Sequence, residues 1–371
     1  MHQLIHVFHR GQPAGIFDMD ASERIGRFEW FPTFQKTFSR MTEAFDYDDS
    51  RRYSTFDVDN ELPSLFKDYM PGAFSKQLLR EALRDSRTVE SLSTLSWLSL
   101  TGNRGMGGFS FEPAGYPELN AVEPVDLNRL VRYAELLQQG KGAELSDRRL
   151  RELLRCGLFV RGESPKILVA VNDFTGEVLS GQSTIPEGFE GWILKLDGVV
   201  PDSTVKLTDE YAFHLKAKAC GIQVAPCRIL RDGHWKHLLV KRFDRFLGKN
   251  LVYVTFSDCL EEHSWEAVFR MMRSMRLPYP DTTEMYKRLI FSILTKSKTL
   301  NLSKICLIFT ESNQWRLAPA FNLKPYSEND SFSLSLLGKS KDWTEDELLT
   351  FGNQMNIRKA KSILKEIKVN L

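Results

Sequence analysis

Gly191-Trp192-Ile193-Leu194-Lys195-Leu196-Asp197 sets one lysine inside a short run of large apolar residues, and Asp197-Gly198 supplies a turn just beyond it. A run of this length, bounded by turn residues, predicts a buried strand. An ammonium in such a strand is costly, so Lys195 requires a negative partner or ligand. Downstream, the stretch from Thr208 to Gly221 predicts a helix capped by Thr208, with Asp209 and Glu210 in its first turn and Gly221 at its end. Glu210, Phe213 and Ala217 share one stripe of that helix, which lets Glu210 turn inward towards the strand lysine. A strand lysine held by a helix glutamate is how kinases grip ATP phosphates. A structural ion pair, or a lysine whose head snorkels to the surface, gives the same pattern.

Around this stretch the composition is that of an ordinary soluble globular protein. The 371 residues allow two or three lobes and an ample core, with 42% hydrophobic and 26% charged residues. Lys plus Arg is 50 against 48 acids, a formal charge of +2. That balance excludes strong general attraction to nucleic acid or membrane and leaves only local basic patches open. Cys156, Cys220, Cys227, Cys259 and Cys306 are scattered without zinc-knuckle or redox spacing, which predicts reduced, buried thiols. The first ten residues lack the pattern of a secretion signal, and no apolar run approaches membrane-spanning length. A cytoplasmic protein is expected.

The chain opens as strand, turn, strand: Leu4 to His9, a turn at Arg10 to Pro13, then Ala14 to Phe17, with a third alternating strand over Arg27 to Phe31. His2, His6 and His9 are spaced for a helix rather than this strand, which argues against a metal site. Leu62 to Leu83 reads as helix interrupted at Pro71-Gly72, and Val89 to Leu100 as more helix. The glycines of Gly102-Asn103-Arg104-Gly105-Met106-Gly107-Gly108 precede a strand, whereas a phosphate loop follows one and opens a helix; they predict a turn. Helices are expected over Leu127 to Gln139 and Ser146 to Cys156, then a strand over Ile167 to Val171 and a hairpin over Val224 to Leu230 and Trp235 to Val240. Beyond Asn250 the pattern is mainly helical, broken by a hairpin from Ile305 to Pro319. Strands first and helices afterwards predict a two-lobed α+β architecture with a cleft at the junction, divided near 1–145, 146–250 and 251–371.

The ordered set Gly162-x-x-Pro165-Lys166, Trp192-Ile193-Leu194-Lys195, Asp209-Glu210-Tyr211, Leu239 to Arg245 and Leu317-Ala318-Pro319-Ala320-Phe321 resembles the HipA-like kinases, bacterial serine/threonine kinases found as toxins of toxin–antitoxin modules. The likeness covers nearly the whole chain. It implies a protein-kinase-like fold with ATP as cofactor, Lys195 on its phosphates and Glu210 holding Lys195. It also implies a glycine loop over Val160 to Lys166, including Gly162, Ser164 and Lys166, and a hinge near the base over Leu238 to Lys241. The serine autophosphorylated in some members falls on Phe159, so that switch is expected to be absent, with Ser164 nearby as a weak substitute.

The catalytic loop departs from the family. Its pattern Phe-x-x-Leu-x-Gly-x-x-Asp-x-His-x-Lys-Asn is represented here by Phe291 to Lys304. By that resemblance the catalytic aspartate position is Thr299, the histidine position Asn301, the magnesium-binding asparagine position Lys304, and the second metal-binding aspartate position Asn322. Threonine is no general base at neutral pH, and an ammonium replaces a ligand of a hard dication, which puts Mg²⁺ in doubt. Lys304 offers an alternative way to neutralise phosphate. Lys296, Lys298 and Lys304, with no acid before Glu311, read either as a solvated basic loop or as a patch for an acidic partner or nucleic acid. The leading expectation is a HipA-like pseudokinase that binds a protein partner, antitoxin-like or kinase-like. The alternative is an active kinase toxin transferring the ATP γ-phosphate to a protein hydroxyl. No helix-turn-helix reader is legible, so direct sequence-specific DNA binding is not expected.

Overall fold

The structure is a computed structural model describing residues 2–20, 25–42, 53–57, 62–82, 92–157, 165–199, 205–325 and 331–371. Its contacts divide it into two compact units, Met1–Ser203 with Arg228–Tyr253, and Thr204–Cys227 with Val254–Leu371. Among the described residues no helix is long and apolar enough to cross a membrane.

The first unit holds two five-stranded antiparallel sheets. In the N-terminal one, His2–His9 and Gln12–Asp20 form a hairpin whose turn places Arg10 and Gly11 both at positive φ. Ile25–Trp30 and Tyr53–Asp57 extend one edge, and Phe109–Glu112 pairs with His2–His9 on the other. Alternation puts Ile5, Val7, Phe17, Phe28, Trp30, Phe109 and Phe111 into an aromatic core with Phe66 and Tyr69. His9 is buried there, its Nδ1 3.0 Å from the Gly108 carbonyl and its ring edge-on to Phe34, Phe38 and Phe109.

The second sheet runs in the order Val178–Ser180, Lys166–Val171, Glu190–Lys195, Trp235–Lys241, Cys227–Asp232. Ile167, Val169, Trp192, Leu194 and Leu239 project from one face into a core closed by the helices Ala73–Ala82, Leu127–Gln138 and Asp147–Gly157. Those amphipathic helices come from three stretches expected to be helical, one before the glycine run and two after it. Burying each Leu or Val in such a core contributes about 1.5–3 kcal/mol, which is what fixes the register of the sheet.

The glycine run is the clasp between the two sheets. Gly107 adopts φ +98°, and a Cβ there would lie 2.3 Å from the Tyr69 hydroxyl oxygen. That hydroxyl accepts the N–H groups of Gly108 and Phe109, while the Gly107 N–H donates to Asp244 Oδ2 at 2.7 Å. Asp244 is fully buried and takes two bonds from Arg242, at 3.0 and 2.7 Å, and one from Arg245 at 2.5 Å. Burial works to raise its pKa, yet the two guanidiniums and the Gly107 N–H hold it well below the usual carboxylate range. Burial, with Arg242 close by, brings the Arg245 guanidinium down to about 10.

The second unit is mainly helical, with Leu207–Ala219, Trp265–Ser274, Tyr279–Leu294, Glu345–Gln354 and Ala360–Asn370. One hairpin interrupts the helices, Cys306–Phe309 with Trp315–Leu317, in the register Leu307 opposite Leu317. The first helix begins before the expected Thr208 cap. Lys206 is the extended residue at its start, and Asp209 reaches back to accept the Lys206 N–H at 3.3 Å. Gly221, at φ +74°, follows its last turn as its lack of a Cβ allows.

Candidate functional site

Lys195 ends the central strand of the second sheet and lies directly opposite Lys166 on one neighbour and Leu238 on the other. Its side chain shares the sheet face of Ile193, Leu168, Ala170, Leu238 and Val240, opposite the helix-covered core, and only 8% of the residue is exposed. Two ammonium-bearing residues facing each other across an antiparallel pair are about 4.5–5.5 Å apart at Cβ and repel unless anions accompany them. The apolar residues Leu168, Ala170, Leu238 and Val240 of that face are themselves buried, the first three fully so.

Lys241 is placed apart from this pair. It lies opposite Trp192, hence on the other face, where its Nζ bonds Glu190 Oε1 at 2.6 Å. Gly162 and Ser164 lie outside the described residues.

Glu210 belongs to the second unit and is buried with Phe213 and Ala217 on the stripe expected for it. One turn on, His214 Nε2 lies 3.9 Å from Glu210 Oε1 and accepts the Leu323 N–H at 3.0 Å.

A frame of buried charges holds the Leu317-Ala318-Pro319-Ala320-Phe321 segment. Asp281 accepts the Leu317 N–H at 2.9 Å and two bonds from Arg316, each 2.8 Å. Arg288 donates to the Ala318 carbonyl at 2.8 Å and to Glu284 Oε1 at 3.0 Å; the same Oε1 accepts the Gln223 N–H. Ala320 completes the clamp, exchanging backbone bonds of 2.8 Å with Gln223 and Ala225. Asp281, Glu284 and Arg288 were not singled out from the sequence. Their i, i+3, i+7 spacing, interleaved with Met285, Leu289 and Ser292, was the available signal, because charges on an apolar helical stripe need partners.

Within this frame, two segments run antiparallel, 295–305 and 318–325. Ala318 N–H bonds the Cys306 carbonyl at 2.9 Å at one end; at the other, the Ser297 hydroxyl donates to the Lys324 carbonyl at 2.6 Å. Between these pins lie Thr299, Asn301, Lys304 and Asn322, all half-buried. The Thr299 hydroxyl bonds Ser297 Oγ at 3.0 Å, and Asn301 Oδ1 accepts both the N–H and the hydroxyl of Ser303, capping the turn Leu302–Lys304. Asn322 sits at φ +54°, a strained conformation that asparagine tolerates better than most residues. Thr299, Asn301, Lys304 and Asn322 thus all lie on this one pair of segments.

This donor set does not fit Mg²⁺. The ion takes an octahedron of hard oxygens, usually with one or two carboxylates. Here Thr299 and Asn301 are engaged locally, Asn322 is neutral and Lys304 is a cation. Among the described residues no group of three His, Cys, Asp or Glu side chains is placed to hold a metal.

The family profile of the HipA-like C-terminal domain matches residues 158–371. A chain from the Shewanella oneidensis MR-1 toxin–antitoxin complex of HipA, HipB and operator DNA superimposes with a TM-score of 0.63 at 15% identity, covering 99% of this chain and 91% of that one. The Helicobacter pylori proinflammatory kinase CtkA is a more distant likeness, at 11% identity and a TM-score of 0.35 over 50% of this chain and 89% of its own. No curated protein matches the sequence. With its two-lobed kinase-like α+β fold, the chain belongs to the HipA-like C-terminal domain family.

Proposed function

We infer that this HipA-like protein is a pseudokinase: it binds nucleotide on the Lys195 and Lys166 face, transfers phosphate poorly or not at all, and acts by holding a protein partner of the antitoxin kind. One observation carries the reading. The frame built by Asp281, Glu284 and Arg288 is complete, while the positions it presents are Thr299, Asn301, Lys304 and Asn322. Phosphoryl transfer relies on a carboxylate to orient the attacking hydroxyl and on metal ions to neutralise the phosphates. A threonine hydroxyl already bonded to Ser297 accepts no proton at neutral pH, and the frame's own carboxylates, Asp281 and Glu284, are taken up by Arg316, Arg288 and backbone N–H groups. The Shewanella HipA chain was solved with HipB and operator DNA, which supports a protein partner here.

The buried Lys195 favours the second reading, an active serine/threonine kinase toxin, because positioning and electrostatics alone leave a residual rate. Co-expression with the product of an adjoining small reading frame tests the binding role. A stable complex that forms equally well with Lys195→Ala supports the pseudokinase; a complex that forms only with transfer-competent protein favours the kinase.

A further inference from the structure

One turn of the first unit carries an aromatic ring that contributes nothing to the packing. It joins the strands Lys166–Val171 and Val178–Ser180, and at its tip Phe174 is 99% exposed. The backbone of the turn is fixed. Asn172 Oδ1 accepts the N–H groups of Phe174, at 2.9 Å, and Thr175, at 3.0 Å, while the Asn172 carbonyl accepts the Gly176 N–H at 2.8 Å, with Gly176 at φ +75°. Glu177 closes the turn, its carbonyl accepting the Asn172 N–H at 3.0 Å. A ring carried in this way costs little further ordering of backbone when it is covered. The charge around it has one sign. From Ile167 to Leu194 the sequence holds Asp173, Glu177, Glu187 and Glu190, and neither Lys nor Arg. Arg228 takes up Asp173, and Lys241 takes up Glu190 at 2.6 Å. Glu177 and Glu187 are exposed and make no ion pair among the described residues. Both sit on backbone that touches the turn: Glu177 is its last residue, and Glu187 precedes Gly188, where a Cβ would lie 3.6 Å from Asn172 Nδ2. Two unmatched negative charges thus flank a turn whose tip is apolar.

We propose that the Phe174 turn is the docking point for a protein partner whose surface sets an apolar pocket inside a rim of Lys or Arg. It names a surface for the partner-holding role inferred above and rests on that role. A phenylalanine exposed to this degree packs against nothing in its own chain, so a partner that buries it gains nearly its whole apolar area. The sign of the charge selects the class of partner. Two unpaired carboxylates repel the phosphates of nucleic acid and of an anionic membrane, and they attract a cationic protein surface. Phe246, 53% exposed where Arg245-Phe246 pairs with Lys249-Asn250, supplies the contrast, because no acid lies between Arg245 and Ser257.

The test begins with the full chain carrying the photo-cross-linker p-benzoylphenylalanine at position 174, tagged and expressed in its host. Illumination is expected to join it to another protein, which mass spectrometry identifies. That protein is then purified and titrated by calorimetry against wild type, Phe174→Ser, the pair Glu177→Lys with Glu187→Lys, and Phe246→Ser. Phe174→Ser is expected to weaken binding about tenfold or more, the size of one large apolar side chain. The charge reversals are expected to weaken it about fivefold at low salt and less than about twofold at high salt, and Phe246→Ser to leave it unchanged. Thermal melts establish that each variant keeps its fold. A partner that binds wild type and Phe174→Ser equally, or that depends as strongly on Phe246, overturns the docking turn and leaves the partner-holding role standing. No cross-link at 174, or one only to a second copy of the chain, overturns the turn alone if the tagged wild type still retains another protein. If it retains none, the partner-holding role falls as well.

Discussion

Arg288 donates to the Ala318 carbonyl at 2.8 Å while its Nε holds Glu284 at 3.0 Å, so one buried guanidinium joins the Tyr279–Leu294 helix to the segment that presents Asn322. Burial lowers the Arg288 pKa, with Glu284 opposing that fall, and the pair is costly to break from one side. Replacing Arg288 by Met leaves Glu284 buried without its cation and is expected to destabilise the protein by about 3–5 kcal/mol. The double substitution Arg288→Met with Glu284→Gln is expected to cost less than Arg288→Met alone. Urea denaturation of the three chains measures both.

Asp244 makes the corresponding link in the first unit, and its chemistry gives a pH dependence. Its folded pKa is depressed below the ordinary 3.8, so its stabilising contribution is present above about pH 4 and is lost as the pH falls through the folded value. Asp244→Asn leaves Arg242 and Arg245 buried around a neutral amide and is expected to cost about 3–5 kcal/mol at neutral pH. The difference between wild type and variant should shrink on acidification, which melting curves from pH 7 downward will register.

Gly107 faces the Tyr69 hydroxyl at a distance no Cβ tolerates, and at a φ that disfavours side chains. Gly107→Ala is expected to destabilise the protein by about 1–3 kcal/mol through overpacking, with added backbone strain. Gly140, at φ +72° with open space around it, supplies the contrast. Gly140→Asn is expected to stay within about 0.5 kcal/mol of wild type. Thermal melts of both variants separate close approach from conformational freedom.

His237 is buried against the exit of the Lys195 strand, and its Nδ1 accepts the Asp197 N–H at 2.9 Å. Burial lowers its pKa from 6.5, so the unfolded chain takes up a proton in a range where the folded one does not. Stability is therefore expected to fall as the pH drops below about 6.5, down to the folded pKa. His237→Asn keeps an acceptor for Asp197 without titrating, and its melting temperature should vary less than that of wild type between pH 7 and 5.

Local pattern carried much of the fold. The Glu190–Lys195 strand, the glycine turn and the helix with Glu210 on its inner stripe were legible because each depends on periodicity or on a backbone requirement within a few residues. The helix start was misplaced because Thr208 has the better capping side chain, whereas Asp209 reaches back from the first turn to Lys206 instead. The Arg242–Asp244–Arg245 cluster could be seen as a motif but not as a clasp, since its partner Gly107 is 137 residues away. Lys241 was assigned by its place in a motif, and only the strand register reveals that it faces away from Lys195. The Asp281, Glu284 and Arg288 frame holds its segment through the Leu317 N–H and the Ala318 carbonyl, backbone groups that no residue type announces.

The most direct measurement is transfer of radiolabelled γ-phosphate by the full chain, to itself and to a lysate of its host, in Mg²⁺ and in EDTA, beside Lys195→Ala. A chain whose frame presents Thr299, Asn301, Lys304 and Asn322 in place of acids should incorporate no more label than Lys195→Ala under either condition. Mg²⁺-dependent incorporation by the wild type that Lys195→Ala abolishes would contradict it, and would mean that carboxylates from elsewhere in the chain serve the reaction.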